Sequence, residues 1–127
     1  MLIRPRFSQA QIRDIAAGTA VVTINGKDLG VADTVQCAQV ESLTIIRTGD
    51  EASGATIMVS NAYQLAAELV RIRDLNGFAG SYDRGLQGNA TVTLTGSTYS
   101  ISGAATGFNI AKPSALTTET FAIRVAC

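Results

Sequence analysis

Short runs of β-branched and small residues, separated by glycine-containing turns, fill the chain from Thr19 onward and restrict its fold more than any other feature. Threonine alone occurs 14 times, and this residue suits a pleated, half-exposed surface better than a helix. Asn25-Gly26 and Asn76-Gly77 are dipeptides that tolerate the positive φ angles of a tight hairpin. We therefore expect an all-β fold, either an antiparallel sandwich or a partly closed barrel of about eight or nine strands.

Two segments are less clear than this pattern. Between 61 and 75, helix propensity competes with strand-like alternation, and we predict a strand from about Glu68 after one helical turn near Gln64. The stretch FNIAKPSALTTE contains Pro113, which cannot donate a backbone hydrogen bond, so it is predicted to be a connection between strands.

The N-terminal part of the chain has a helical and not a strand-like residue pattern. Ser8 can cap a short helix that ends before Gly18, with Gln11 completing a capping box. We expect an N-terminal segment over 1–18 with this helix and a single β domain over 19–127.

The composition excludes several function classes. The chain has no histidine, which removes Ser/His/Asp and Cys/His nucleophiles and HExxH zinc sites. Ten Lys and Arg balance ten Asp and Glu without a basic cluster, so nucleic acid is not an expected partner. Paired carboxylates could still perform glycosidase chemistry. We predict that the protein is not an enzyme and binds no cofactor. We also predict no metal site, since Asp50 and Glu51 in their glycine-flanked turn are too few acids for calcium.

The two cysteines offer a crosslink. Cys37 lies in a predicted strand of the first third, and Cys127 closes the last predicted strand. A bond between them would enclose 90 residues and contribute about 4.6 kcal/mol by the chain-entropy estimate. Two free buried thiols are the alternative, because a single pair carries no spacing pattern. If the bond forms, the protein works outside the cytoplasm.

Several landmarks then follow one another in a specific order: VVTINGKDLG, Cys37, GLQGNATVTLTGSTYSISGAATG, NIAKPS and the closing FAIRVAC. With them the chain resembles the mycobacterial nineteen-kilodalton lipoprotein antigen family from about Ala20 to Cys127. The resemblance implies a secreted, lipidated protein held at the outer face of the cell membrane. The chain begins Met1-Leu2-Ile3-Arg4, so we expect the targeting segment and lipidated cysteine only in a native precursor. Residues 1–19 and the charged stretch around Arg71 depart from the family pattern, which indicates a paralogue.

Two sets of side chains are candidate sites. Guanidinium groups can pair phosphate or carboxylate in bidentate fashion, although a solvated edge is the simpler interpretation. Aromatic side chains could line an apolar groove for an acyl chain or sugar, although such residues are more often core. The anion-binding candidates are Arg47, Arg71, Arg73 and Arg124, and the groove candidates are Tyr63, Phe78, Tyr82, Tyr99 and Phe108.

These observations together favour an exported cell-envelope lipoprotein with a non-enzymatic binding or surface-presentation domain. One alternative is a carrier that holds a lipid or glycolipid in an apolar cavity of roughly 300 Å³ or more between its sheets. Another is an adhesin-like module for a host receptor, protein or glycan. An enzyme would need two close carboxylates in a cleft.

Overall fold

The computed structural model describes residues 15–127, and these form one antiparallel sheet of ten strands. The all-β prediction is confirmed, in the form of a nearly closed barrel. The predicted N-terminal helix lies almost entirely outside the described residues. The strands are β1 (Ala20–Ile24), β2 (Lys27–Ala32), β3 (Val35–Val40), β4 (Leu43–Gly49), β5 (Gly54–Ser60), β6 (Ala66–Leu75), β7 (Phe78–Asp83), β8 (Asn89–Thr95), β9 (Thr98–Asn109) and β10 (Lys112–Ala126).

Neighbouring strands follow the order β2-β1-β10-β9-β7-β6-β5-β4-β3, and β8 adds to β9. The long strand β9 has β10 on one side, while β8 and then β7 pair with successive halves of its other side. The pairing of β1 with β10 joins the first strand of the chain to the last. The two strands at the ends of this path, β2 and β3, are consecutive in the chain, so the sheet curls until its ends approach.

Alternate residues of the strands point into the barrel and fill it with one apolar core. Ile57 of β5, for example, lies opposite Val70 of β6, and neither is exposed to solvent. The largest fully buried side chains are Phe78, Ile24, Ile46, Ile57, Ile101, Ile123, Val59, Val70 and Val125. The interior is therefore packed with protein side chains.

Both Asn-Gly dipeptides form the predicted tight turns. Asn25 and Gly26 have φ angles of 53° and 84°, and Asn76 and Gly77 have 54° and 75°. Positive φ at both central positions matches the right-handed twist of the strands that the turn joins. The turns fix the β1–β2 and β6–β7 pairings.

Two local predictions need correction. The stretch from Phe108 to Glu119 is not a connection, because β9 extends to Asn109 and β10 begins at Lys112 and pairs with it. Pro113 is tolerated because the register shifts between Lys112 and Leu116, so the missing N–H interrupts no regular ladder. Near Gln64 the chain bends without a helical turn, and β6 begins at Ala66, two residues before the predicted start. Pairing with β5 and β7 outweighs the helix propensity of this segment.

Within residues 15–127, no helix is long and apolar enough to cross a membrane.

Candidate functional site: an arginine cleft at the barrel seam

The barrel has a seam between β2 and β3. These strands end the sheet path, and within residues 15–127 they are not paired with each other. Nearly all of β3 is exposed, whereas the inward side chains of β1 and β10 are buried. The backbone N–H of Gly49 donates to the carbonyl oxygen of Thr34 at 3.1 Å, which holds the β2–β3 connection against the end of β4.

A disulfide ties β3, one edge of this seam, to the end of β10. Cys37 of β3 is bonded to Cys127, directly after β10, with 5.9 Å between their Cα atoms. The N–H of Cys127 also donates to the carbonyl oxygen of Ser97 at 3.0 Å, so the end of β10 is held at the β8–β9 turn. The predicted pairing is confirmed, and the alternative of two free thiols is excluded.

An open cleft of about 650 Å³ lies on the outer face beside the β2–β3 connection, and it reaches Gln36, the residue before Cys37. It is formed by the β2–β3 connection, the first part of β3, the β4–β5 turn and the outward side chains of β4 to β6. Its lining residues are Asp33, Thr34, Val35, Gln36, Arg47, Gly49, Asp50, Glu51, Thr56 and Arg73.

Sheet register brings the basic groups of this cleft together. Arg47 of β4 lies directly opposite Thr56 of β5, which in turn lies opposite Arg71 of β6. Directly opposed residues of antiparallel strands project from the same face. Arg73 follows two residues after Arg71 and therefore shares this outer face. Arg47 and Arg73 consequently lie on the two sides of Thr56.

Hydrogen bonds fix the guanidinium of Arg73. Its Nη1 donates to the hydroxyl oxygen of Thr56 at 2.8 Å, and its Nε and Nη2 donate to the carbonyl oxygen of Asp50 at 3.3 and 3.0 Å. A guanidinium has five N–H donors, so these three bonds leave two for a ligand. Arg73 is thus a held group with remaining binding capacity.

The acidic residues of the cleft do not neutralise the arginines by direct contact. Within residues 15–127, neither Arg47 nor Arg73 forms an ion pair with a carboxylate. The Asp50 carboxylate turns into its own loop, where Oδ1 accepts the N–H groups of Ala52 and Ser53 at 2.9 and 2.8 Å. Asp33 and Glu51 are exposed residues of the lining.

The other two arginine candidates lie outside the cleft. Arg71 is a direct neighbour of Thr56, but its Nη2 lies 3.6 Å from Asp83 Oδ1. Arg124 lies on β10, opposite Val21 and Ser100, several strands away. No group of three or more Cys, Asp or Glu residues that could hold a metal ion is found over 15–127.

The five aromatic candidates do not line a common groove. Phe78 is only 2% exposed and belongs to the core, as does Tyr82. The Tyr82 hydroxyl donates to the carbonyl oxygen of Ala67 at 2.9 Å, and burial raises the pKa of this phenol, with Arg84 lowering it and Glu68 raising it to smaller extents. Tyr99 packs partly buried against the core, Phe108 is partly exposed, and Tyr63 is fully exposed in the connection between β5 and β6.

A second cavity, of about 200 Å³, was not anticipated from the sequence. Thr48, only 2% exposed, contributes to its wall, and its hydroxyl oxygen has no hydrogen-bond partner. Thr48 is unusual because it is a polar residue on the inward face of β4, the face that Ile46 also occupies. The sequence alone does not show which face of β4 points inward, because that depends on the pairing with the neighbouring strands. The lining residues are Val22, Leu29, Gly30, Ala32, Thr48, Gly49, Ser53, Gly54 and Leu75.

Comparison with known families gives a match across nearly the whole chain. The model of the family described as Mycobacterium 19 kDa lipoprotein antigen matches residues 13–127. This range includes every strand and both cysteines of the disulfide.

Individual relatives agree with this match. A protein of Mycobacterium avium subsp. hominissuis that carries a lipoprotein designation is 42% identical over 112 residues, covering 87% of this chain and 77% of that protein. Lipoprotein LpqH of Mycobacterium tuberculosis is 34% identical over 113 residues, covering 88% of this chain and 71% of its own length. Lipoprotein LpqH of Mycobacterium avium is similar at 34% identity, with 88% and 70% covered.

Proposed function

The chain belongs to the Mycobacterium 19 kDa lipoprotein antigen family, and from that premise we propose that its barrel is a non-enzymatic binding domain for an anionic ligand held in the arginine cleft. The observation that carries the proposal is the placement of Arg47 and Arg73 on both sides of Thr56, without a carboxylate partner among the described residues.

The protein is a surface lipoprotein of the cell envelope and acts outside the cytoplasm. Family membership gives the lipoprotein class. The Cys37–Cys127 bond agrees with this location, since disulfides persist in oxidising compartments. We further propose that a lipid anchor attached to an N-terminal cysteine of the native precursor holds the domain at the membrane.

The chemistry of the cleft suits a phosphate or carboxylate group. Guanidinium groups present paired N–H donors that match the oxygen spacing of these anions, and charge-assisted bonds of this kind are stronger than neutral ones. Because Arg73 is already positioned by Thr56 and Asp50, little of its conformational entropy remains to be lost on binding. Gln36 and Glu51 add groups that could bond to hydroxyls of the same ligand.

The remaining candidate functions have less support. A carrier would need a cavity that encloses an acyl chain, but the barrel interior is filled by the core and the apolar cavity of about 200 Å³ is below the usual ligand range. An adhesin would present a continuous exposed apolar patch, and of the five aromatic candidates only Tyr63 is fully exposed. The non-enzymatic part of the proposal rests on the chain's lack of histidine.

Titration with inorganic phosphate, followed by backbone amide NMR shifts, tests the cleft. We expect saturable shifts at residues 47–56 and at Arg73, and an affinity loss of at least about tenfold in Arg47→Gln, since one charge-assisted contact is worth about 1.5–3 kcal/mol. Arg47→Gln is the cleaner variant, because Arg73→Gln also removes bonds within the protein.

Arg84→Gln is the matched control. Arg84 is also an exposed arginine, but it pairs with Glu68 outside the cleft at 2.6 Å. Equal affinities of R47Q, R84Q and the wild type, or shifts spread over all basic residues, would contradict the proposal and leave only general charge screening.

A further inference from the structure

We infer that the ligand is an anionic amphiphile whose charged group binds the arginine cleft and whose short apolar segment enters the adjoining cavity of about 200 Å³. This inference rests on the proposed function, and it adds the class of molecule that the cleft receives. Three observations carry it: the composition of the cavity, its contact with the cleft, and its size.

The cavity has an almost entirely apolar wall with one unsatisfied polar group. Leu29, Val22 and Leu75 supply apolar surface from three strands. The hydroxyl of Thr48 has no hydrogen-bond partner among the described residues, although only 2% of this residue is exposed to solvent. A buried hydroxyl without a hydrogen bond is costly, and such a group in a native protein calls for a partner such as an ordered water or a bound molecule. An oxygen of the ligand beside its charged group would satisfy Thr48.

The cavity and the cleft meet at the seam. Gly49 contributes to both walls, and the consecutive residues Ala32 and Asp33 line the cavity and the cleft respectively. Since β2 and β3 are not paired within residues 15–127, no ladder between these two strands separates the inner space from the outer one beside the Gly49–Thr34 bond. A molecule can therefore pass over the rim with its charged end outside.

The guanidinium of Arg73 lies directly against the cavity wall. A Cβ atom added to Gly54 would be 3.0 Å from Arg73 Nη2, and it would also clash with the carbonyl oxygens of Thr48 and Asp50. Gly54 itself lines the cavity. Only the backbone of the β4–β5 turn thus separates the charge from the apolar space, and the absence of a side chain at Gly54 makes this possible.

The size of the cavity limits the apolar segment. An apolar cavity of about 150 Å³ is large enough for benzene, so about 200 Å³ takes a short alkyl segment and not a whole acyl chain. Hexyl phosphate is a suitable probe, because it combines a phosphate group with a chain of that length. Each buried methylene favours binding about fourfold.

The experiment compares hexyl phosphate, inorganic phosphate and 1-hexanol by isothermal titration against the wild type and two variants. We expect hexyl phosphate to bind at least tenfold more tightly than inorganic phosphate. Ala32→Leu, which fills the cavity, should erase that difference and leave phosphate affinity unchanged. Arg47→Gln should weaken both phosphate compounds by a similar factor. Leu29→Phe is a second filling variant if A32L unfolds, and thermal unfolding establishes which variants are folded.

The outcomes distinguish failure of the amphiphile inference from failure of the proposed anion-binding function. Equal affinities of the wild type for hexyl phosphate and inorganic phosphate would overturn the amphiphile and leave the anion cleft in place. Equal affinities for hexyl phosphate and 1-hexanol, unaffected by R47Q, would show an apolar site that ignores charge and would overturn the inference. Failure of all three probes to bind would overturn both.

Discussion

The pairing of β9 with β10, here called the wall, and the β2/β3 seam are the two contrasting parts of the barrel. The wall is a continuous ladder, whereas the seam is where the two ends of the sheet meet. In the wall, the strands pair from Ala126 with Thr98 to Lys112 with Asn109, and Ile101, Phe121 and Ile123 are buried beneath the pairing. At the seam, two sheet edges approach without pairing in the described chain, and a disulfide ties one of them, β3, to the end of β10. The wall distributes its stability over many contacts, whereas the seam depends on the disulfide near it and borders the open cleft.

The largest effect is expected from removal of the disulfide. The Cys37→Ser/Cys127→Ser double variant should lose about 4.6 kcal/mol of unfolding free energy, because the 90-residue loop no longer restricts the unfolded chain. Urea denaturation measures the loss, and wild-type protein in reductant is the control. A loss below about 1 kcal/mol in both would mean that noncovalent contacts already close the seam.

A core truncation in the wall is expected to follow in size. Ile123→Ala should cost about 3 kcal/mol, since it removes fully buried apolar volume. The matched seam variant is Val40→Ala on β3, where the side chain is 56% exposed, and its cost should be within about 0.5 kcal/mol of zero. Similar losses in urea for the two variants would end the distinction between wall and seam.

Gly49 tests the backbone of the seam. Its φ of +79° disfavours a side chain, and a Cβ there would also meet Gly54 Cα at 2.7 Å. Gly26 has a comparable φ of +84° with nothing within 4 Å of an added Cβ, so Gly26→Ala isolates the conformational cost. We expect Gly49→Ala to lower the free energy of unfolding by about 2 kcal/mol more than Gly26→Ala. Equal costs in thermal melts would place the tight approach of the β4–β5 turn in doubt.

Tyr82, on β7 beside the wall, makes the stability of the barrel depend on alkaline pH. Burial raises the pKa of its phenol in the folded state, so its contribution is complete below the ordinary tyrosine pKa of about 10 and is lost as the pH rises above that value. Tyr82→Phe should cost about 1 kcal/mol at neutral pH, through the lost bond to Ala67, and should reduce the alkaline loss of stability. Tyr63→Phe, at a fully exposed residue, should leave the alkaline loss unchanged. The measurement is urea denaturation between pH 7 and pH 11, and identical pH profiles for Y82F and the wild type would contradict the assignment.

A substitution at Thr48 is expected to change the free energy of unfolding least, and to raise it instead of lowering it. Thr48→Val removes a buried hydroxyl that has no hydrogen-bond partner among the described residues, so the unliganded protein should gain about 1 kcal/mol. Ser102→Ala, which deletes an exposed hydroxyl of β9, is the comparison and should change stability little. A destabilised T48V protein would mean that the hydroxyl is already satisfied by a bound water or ligand.

Local patterns predicted most of the barrel because they act over a few residues. Asn25-Gly26 and Asn76-Gly77 specify their turns through φ, and the alternation of Phe121, Ile123 and Val125 specifies the buried side of β10. The sequence around Pro113 misled the prediction, because tolerance of proline depends on a register shift that only the pairing with β9 creates.

The candidate site was less predictable, for a related reason. Arg47 and Arg73 could be selected by their chemistry, but their meeting around Thr56 depends on the registers of β4, β5 and β6. The same registers separate Arg124 from them. The apolar cavity forms where the two ends of the sheet do not pair, and the sequence of any single segment does not predict that place.

The pairing of β1 with β10 also sets when the protein can fold. During synthesis the ribosome releases β1 long before β10, so β1 has only its β2 partner until nearly the whole domain has emerged. A nascent chain at that stage has neither the closing strand nor the second sulfur, and contacts between distant segments form slowly. Complete folding of this domain therefore requires that the chain has been synthesised through β10 and Cys127.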